Sequence, residues 1–559
     1  NIAGDESGAI GAFDQMLFGI YVQDEYQATD RLTLTGGLRI DFPIWPTDQP
    51  LNADFNNNTI PNIESFGYDL QGARTGQFIG STIAFAPRFG FNWDVNGDNS
   101  TQVRGGIGVF TSRLPLVWPG GAYNNYGFNI GATGGNNVPF EPDVQNQPVA
   151  FESDGTPITA VNLSDPTPSG QIDLFAEDFK LPQVMKLNLA VDHKLPGGLI
   201  GTLEGLFTQN INAPYYQNLN LKPARGNLTG SPDDRPLFLG TQAVFGDDVI
   251  EPTYNYIMLA SNTDKGYSYN VAASLTKPFS NGFSGTVSYS YGDAFSVLDG
   301  TSSQNNSQWR GYHNVAGRNF IRDAQRSTFA AGHRIFGQFA YGIDYNIAGD
   351  FGGRTKLSFN FNAQTGGRFS YVVGARNFLF IDDGGFDNNE LIYVPNSASE
   401  INLVDLEVDG STISPAEQWQ LLDAFIEDDP NLSKRRGGYS ERGDGREPFE
   451  FTVDLRFTQD FYIKTASGKK QTVQVIFDMF NFTNFLNEDW GRIRFAGAFG
   501  NYDILRLRNV TLGNTTEPQY TINPDLVDGD KPWDNNFDNS GLRSSIWNGQ
   551  VSIRYFFNQ

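Results

Sequence analysis

Thirteen stretches of this chain alternate apolar and polar residues with a period of two, and that pattern limits the fold more than any other feature. The last one, 547–557, shows it well. Trp547, Gly549, Val551, Ile553, Tyr555 and Phe557 fall on one side, and Asn548, Gln550, Ser552 and Arg554 on the other. Side chains of a β-strand point alternately to opposite faces, so each stretch reads as a strand with one apolar and one polar face. The other twelve are 16–26, 31–42, 82–95, 101–113, 181–195, 199–210, 267–279, 283–293, 334–347, 355–364, 449–463 and 471–482. A soluble sandwich also alternates, because a sheet with one wet face requires it. The connections separate the two readings. Short turns at 27–30, 96–100, 196–198, 280–282, 348–353 and 464–470 take turns with long segments such as 43–81, 114–180, 366–447 and 483–545. Loops beyond ~15 residues are unusual in compact soluble domains. Spans of ~10 alternating residues with short turns at one end and long loops at the other are the pattern of outer-membrane barrels. The expected fold is therefore all-β, a transmembrane antiparallel β-barrel in the bacterial outer membrane, with its long loops extracellular and its short turns periplasmic. If the last strand descends to the short-turn side, so does the first. An odd number of strands is then expected ahead of residue 1.

Composition agrees. Charged residues are 18% of the chain, below the ~25% of average soluble domains. No run reaches the ~18 apolar residues of a membrane-spanning helix, and a barrel strand would not show one, since only alternate residues meet lipid. The chain has no cysteine, which removes disulfides and thiolate chemistry. A net charge of −24 repels phosphate backbones, so no nucleic-acid partner is expected. The three histidines, His193, His313 and His333, have no partners at the spacing of a triad or a metal site. No enzyme is expected. Residues 1–10 lack the charged and apolar parts of a signal peptide, so residue 1 is not expected to be the biological start.

Four segments resemble TonB-dependent outer-membrane receptors of the Oar-like branch found in Bacteroidetes and relatives. They are FGIYVQDEYQATDRLTLTGGLRID (18–41), FAPRFGFNWDVNGDNSTQVRGGIGVF (85–110), EQWQLLDAFIEDDPNLSKRRGGYSERGDGREPFEFTVDLRFTQDF (417–461) and QTVQVIFDMFNFTNFLN (471–487). The resemblance implies a barrel of 22 strands, of which residues 1–559 would supply the C-terminal thirteen and an upstream part the other nine. It also implies a plug domain and TonB as partners, lipid around the barrel, and energised uptake of a large or scarce nutrient. The plug, the TonB box and the early strands are not in this sequence. Two other roles remain open: a scaffold that holds a surface lipoprotein or other outer-membrane protein through its loops, and a passive porin.

Candidate sites lie in the loops and on the polar strand faces. Residues 414–427 read as a helix within the large loop 366–447. Ser414 can cap it, Pro415 suits its first position, and Glu417 completes a capping box. Just beyond come Arg435, Arg436, Arg442 and Arg446, a basic group in an acidic chain, read as contacts to an anionic ligand or an acidic plug surface. Their alternative is pairing with acids of their own loop. The lumen-facing Arg39, Arg88 and Arg456 carry the same two readings. Asp382, Asp383, Asp387, Asn389 and Glu390 gather oxygen ligands around glycines, a composition that suits a structural Ca²⁺ or simply a solvated acidic loop. No other cofactor is expected.

Overall fold

A computed structural model of the chain describes residues 11–77, 79–80, 82–127, 150–151, 157–158, 170–224, 226–237, 249–315, 317–321, 323–374, 389–466, 468–497, 500–510, 518–534 and 545–557. The thirteen alternating stretches form one antiparallel sheet in chain order. The strands are β1 (Met16–Thr29), β2 (Leu32–Ile44), β3 (Ala84–Asp94), β4 (Thr101–Thr111), β5 (Gln183–Leu195), β6 (Leu199–Asn218) and β7 (Gly266–Ser280). They continue with β8 (Phe283–Ser296), β9 (Gly332–Ala348), β10 (Phe351–Gln364), β11 (Glu450–Lys464), β12 (Lys470–Phe480) and β13 (Asn548–Phe556).

Register carries the alternation across the whole sheet. Phe89 stands opposite Ile107, which stands opposite Leu187, and Phe359 is flanked by Phe339 and Leu455. Large apolar side chains on this face point away from the protein: Leu203 is 57% exposed and Ile553 73%. An apolar face this continuous cannot remain in water and is the surface a barrel turns to lipid. The opposite face carries Arg39, Arg104, Asp192, Ser358, Asn360 and Arg456.

The short turns are built by residues that accept a left-handed backbone. At the β3–β4 turn the Asp94 carboxylate accepts the N–H groups of Gly97 and Asn99. At the β7–β8 turn Gly282 has φ +80°, and a Cβ there would meet the Gly342 carbonyl.

Several strand limits differ from the sequence reading by a few residues, and three of them have a clear local reason. β6 runs on to Asn218 because the segment Tyr254–Thr263 pairs along its upper end. β10 begins inside the expected 348–353 turn. Gly352 and Gly353 lack the Cβ that would collide with the rings of Tyr462 and Tyr345, so the ladder to β9 and β11 starts early. β12 stops at Phe480 because Asn481 turns left-handed at φ +51°.

Above the long-loop end lie two apolar cores. The first joins the loops after β2, β4 and β8 to the top of β6 around Phe55, Ile172, Tyr216, Ile257 and Trp309. The second centres on Phe369, Val373, Leu422, Ile426, Ile504 and Ile522. The helix Pro415–Asp428 belongs to it. Its N-terminus carries the full capping box, with the Glu417 N–H donated to the Ser414 hydroxyl and the Ser414 N–H to the Glu417 carboxylate. Segments 45–80 and 114–126 also contain short helices, Ile60–Ser65 and Val117–Asn124, where the sequence reading placed plain loop.

The path of the sheet ends at β1 and β13, and among the described residues neither outer edge is paired. β1 is exposed on both faces: Ile20 on the apolar side is 68% exposed and Tyr21 on the polar side 71%.

Candidate functional site

The polar face of the sheet is laced by ion pairs that cross neighbouring strands. Arg104 of β4 reaches Asp192 of β5 at 3.1 Å and Glu204 of β6 at 3.3 Å. Arg456 of β11 meets Asp478 of β12 at 2.5 Å, and Arg354 meets Asp344 at 3.8 Å. Arg39 pairs within its own strand with Asp41 at 2.7 Å. Thus Arg39 and Arg456, both singled out in the sequence, have their charge balanced by the wall itself. Such half-exposed pairs contribute roughly 0–1 kcal/mol each, so they set the lumen's charge pattern more than its stability.

Arg88 is different. Its guanidinium lies 4.5 Å from the centroid of the Phe110 ring, and Lys186 lies 5.7 Å from the same centroid. The two cations flank Gly108 in register, one on β3 and one on β5. Among the described residues neither has an acidic partner. This is a lumen-facing basic pair on an aromatic support, a geometry that suits an anionic group. Lys186 escaped the sequence reading because its relation to Arg88 exists only across β4.

The four loop arginines are occupied within the protein. Arg435 pairs with Glu441 at 2.6 Å and with Asp444 at 3.4 Å. Arg436 meets Asp423 at 2.8 Å and donates to the Pro395 carbonyl. Arg442 is 4% exposed, and burial lowers its pKa. It donates to the carbonyls of Ser296, Val297, Gln325 and Arg326, so it clamps the loop after β8 to the loop after β10. Arg446 donates to the Ala330 and Gly366 carbonyls. Arg435 and Arg436 thus pair with acids of their own loop, whereas Arg442 and Arg446 spend their donors on backbone carbonyls.

Asp382, Asp383 and Asp387 lie outside the described residues. Asn389 is 4% exposed. Its amide donates to the Arg310 carbonyl and accepts from Asn501. Glu390 accepts the Asn389 N–H and is also 4% exposed. Among the described residues no group of three or more acids or histidines is arranged to hold a metal ion.

Two buried titratable groups were not marked by any sequence signal. Asp173 accepts from the side-chain amides of Asn125 at 2.8 Å and Gln171 at 2.6 Å, and burial pushes its pKa up to about 6. His313 is 5% exposed, bonds Asn501, and is held neutral by burial, with its pKa lowered to about 4. Both tie together loops that are distant in sequence, which is why no local pattern revealed them.

A sheet with a lipid-side apolar face, a lumen-side polar face, short turns at one end and packed loops at the other defines the wall of a membrane β-barrel. The chain belongs to the family described as outer membrane beta barrel domain, which matches residues 5–501. Its place is the bacterial outer membrane. It is similar in structure to the outer-membrane transporter YddB from Escherichia coli, with 10% identity, a TM-score of 0.39, and 97% of this chain and 45% of that one covered. It is also similar to the siderophore receptor PirA from Acinetobacter baumannii, with 10% identity, a TM-score of 0.36, and 84% and 42% covered. A third likeness is the FrpB iron transporter from Neisseria meningitidis, with 10% identity, a TM-score of 0.33, and 84% and 41% covered. The chain spans less than half the length of these structures. No curated protein matches the chain.

Proposed function

We propose that this chain is the later part of a TonB-dependent outer-membrane transporter of the Oar-like branch, with the plug domain, the first strands and the TonB contact supplied by polypeptide outside residues 1–559. The observation that carries the reading is the pair of sheet edges that no strand among the described residues pairs. In lipid every backbone N–H and C=O needs an internal partner, and since the first and thirteenth strands of an up-and-down sheet run the same way, an antiparallel closure of β1 and β13 calls for further strands. Barrels of 16–18 strands leave an open water channel, whereas those near 22 strands hold a plug. A wall that already has thirteen strands and needs more fits the plugged class. Arg88 and Lys186, uncompensated by their own wall, are the residues placed to meet an acidic plug surface or an anionic ligand group. Such a protein moves its cargo without covalent chemistry.

Conductance of the natively purified assembly in a planar bilayer tests this. A plugged transporter passes almost no current until the plug is loosened by urea. A large, stable ohmic conductance in native buffer would instead make the protein a porin. The two packed cores above the mouth favour one alternative, a scaffold that holds a surface lipoprotein, and mass spectrometry of the same purification would reveal that partner.

A further inference from the structure

Four tyrosines crown the lipid-side face where β7, β8 and β9 reach the long loops. Tyr267 and Tyr269 come from β7, Tyr289 and Tyr291 from β8. His333 of β9 stands opposite Tyr291, with its Nδ1 2.7 Å from the Tyr289 hydroxyl. Aromatic residues with a polar tip mark the level where hydrocarbon gives way to lipid headgroups. Two residues beyond Tyr291, about 7 Å further along the strand, Asp293 lies on the same face, opposite Tyr269. The level just above the tyrosines is therefore the headgroup layer of the outer leaflet.

Three arginines converge on that one aspartate. Arg326, in the short strand Gln325–Arg326, stands opposite Phe295 and meets Asp293 at 3.1 Å. Arg368 and Arg446 stand opposite each other where Arg368–Gly374 pairs with Gly445–Arg446. Phe369, next to Arg368, is buried in the second loop core, so alternation turns both arginines away from that core. At Gly443 a Cβ would lie 3.3 Å from Arg368 Cδ and 3.7 Å from Arg326 Cγ, so these two side chains run side by side.

Like charges directly opposite each other destabilise a sheet. Arg368 donates to the Gly443 carbonyl, and Arg446 to the Ala330 and Gly366 carbonyls. These bonds fix the two guanidinium groups but leave their charge unbalanced. Among the described residues neither forms an ion pair, in a chain with 63 acids against 39 lysines and arginines. The neighbouring Glu447 accepts the Ala496 N–H. The Arg368 Nε–H is buried with no hydrogen-bond partner, and burial together with the charges of Arg446 and Arg326 lowers the pKa of Arg368 to about 10.

Position chooses the ligand. The cluster spans the long-loop ends of β8, β9 and β10, in the middle of the sheet. Strands added at the edges of β1 and β13 would not cover it. Exposed Tyr289 and Phe449 carry the apolar band up to it. A phosphate monoester brings about two negative charges near neutral pH and several oxygens that match guanidinium forks. Asp293 balances one arginine, and such a phosphate balances the other two. We infer that Arg326, Arg368 and Arg446 form a binding site for the phosphate of an outer-leaflet glycolipid, its sugar against the tyrosines and its acyl chains along the wall. The inference rests on the barrel's place in the outer membrane and is independent of transport.

The test is native mass spectrometry of the natively purified assembly in delipidating detergent. It is titrated with bisphosphorylated lipid A, with the same lipid after enzymatic removal of its phosphates, and with inorganic phosphate. The phosphorylated lipid is expected to bind at least about tenfold more tightly than the dephosphorylated one, as charge-assisted hydrogen bonds predict. Arg368→Gln and Arg446→Gln should each weaken its binding by about tenfold. Arg368→Lys, which keeps the charge, should retain most of it, and Arg31→Gln at the short-turn end should leave it unchanged. The heat-dependent gel shift of the barrel verifies that each variant folds, and Arg446→Gln carries the test where Arg368→Gln does not. Equal binding of the two lipids, or wild-type affinity in the folded Gln variants, overturns the inference. Inorganic phosphate that binds as tightly as the lipid would make this a site for a free anion and overturns the lipid assignment.

Discussion

Asp173 shows how a single side chain couples the outer loops to pH. Its carboxyl is buried among the amides of Asn125, Gln171 and Asn305, and burial raises its pKa to about 6. An unfolded aspartate titrates near ~3.9. Between those values the folded state holds a proton that the unfolded state has lost. The contribution of Asp173 to stability is thus fully present below pH ~4 and is lost as pH rises through about 6. Two pKa units correspond to roughly 3 kcal/mol, an upper bound for one group. Asp173→Asn mimics the protonated form without the titration. The variant should be more stable than wild type at pH 7 and close to it at pH 4, as read by thermal melting of the loop tryptophans Trp118 and Trp309. A difference that does not change with pH would remove Asp173 as the cause. Nothing local in the sequence announces this group: Asp173 lies 48 residues from Asn125, and only the folded loops bring them together. Arg442 teaches the same lesson in reverse. Its neighbours in sequence advertise a basic patch, but its partners are carbonyls more than a hundred residues away.

Elements were far more legible than residues, because a strand or helix is encoded over a dozen adjacent positions. All thirteen long strands occupy the stretches that alternation marked, since a barrel wall imposes period two on both its faces. The helix Pro415–Asp428 was readable from Ser414, Pro415 and Glu417 alone. The short helices Ile60–Ser65 and Val117–Asn124 were not, because they are held by tertiary burial of Ile63, Trp118 and Tyr123 and lack a hydrogen-bonding side-chain cap. Two measurements address these elements. Ser414→Ala removes the acceptor for the Glu417 N–H and should cost about 1 kcal/mol, seen as faster amide exchange in the first turn of the helix. Unchanged exchange there would show that burial of Leu422 and Ile426 holds the helix without its cap. In the wall, Phe359→Arg puts a charge on the lipid face and should cost ~2–4 kcal/mol near the bilayer midplane in a barrel-folding titration. Ser358→Arg faces the lumen and should cost much less. Equal costs would mean that the two faces are exchanged.

At the scale of the molecule, the open sheet dictates what must surround it. β1 presents a fourteen-residue edge, Met16–Thr29, and β13 a nine-residue edge, Asn548–Phe556. Each exposed edge leaves alternate N–H and C=O groups unmatched, which costs several kcal/mol per group in hydrocarbon. Two closures satisfy them. Either β1 and β13 pair with each other in a thirteen-stranded barrel, or further strands fill the gap. The second is expected. Antiparallel closure needs neighbouring strands to run in opposite directions, and in an unbroken up-and-down order the first and thirteenth run the same way. Direct pairing would therefore create a parallel seam, whereas an odd number of additional strands restores antiparallel pairing at both edges. A disulfide scan settles it in the natively purified assembly, with one cysteine placed along 18–26 of β1 and the other along 549–555 of β13. No β1–β13 cross-link is expected at any combination, while the control pair Val475→Cys with Ile553→Cys, opposite each other in the β12–β13 ladder, should form readily. The mass of the heat-resistant barrel should also exceed the 61.8 kDa of this chain. An efficient β1–β13 cross-link in a barrel of 61.8 kDa would establish a parallel seam and reduce the lumen to that of a narrower, thirteen-stranded pore, too small for the plug that the proposed function requires.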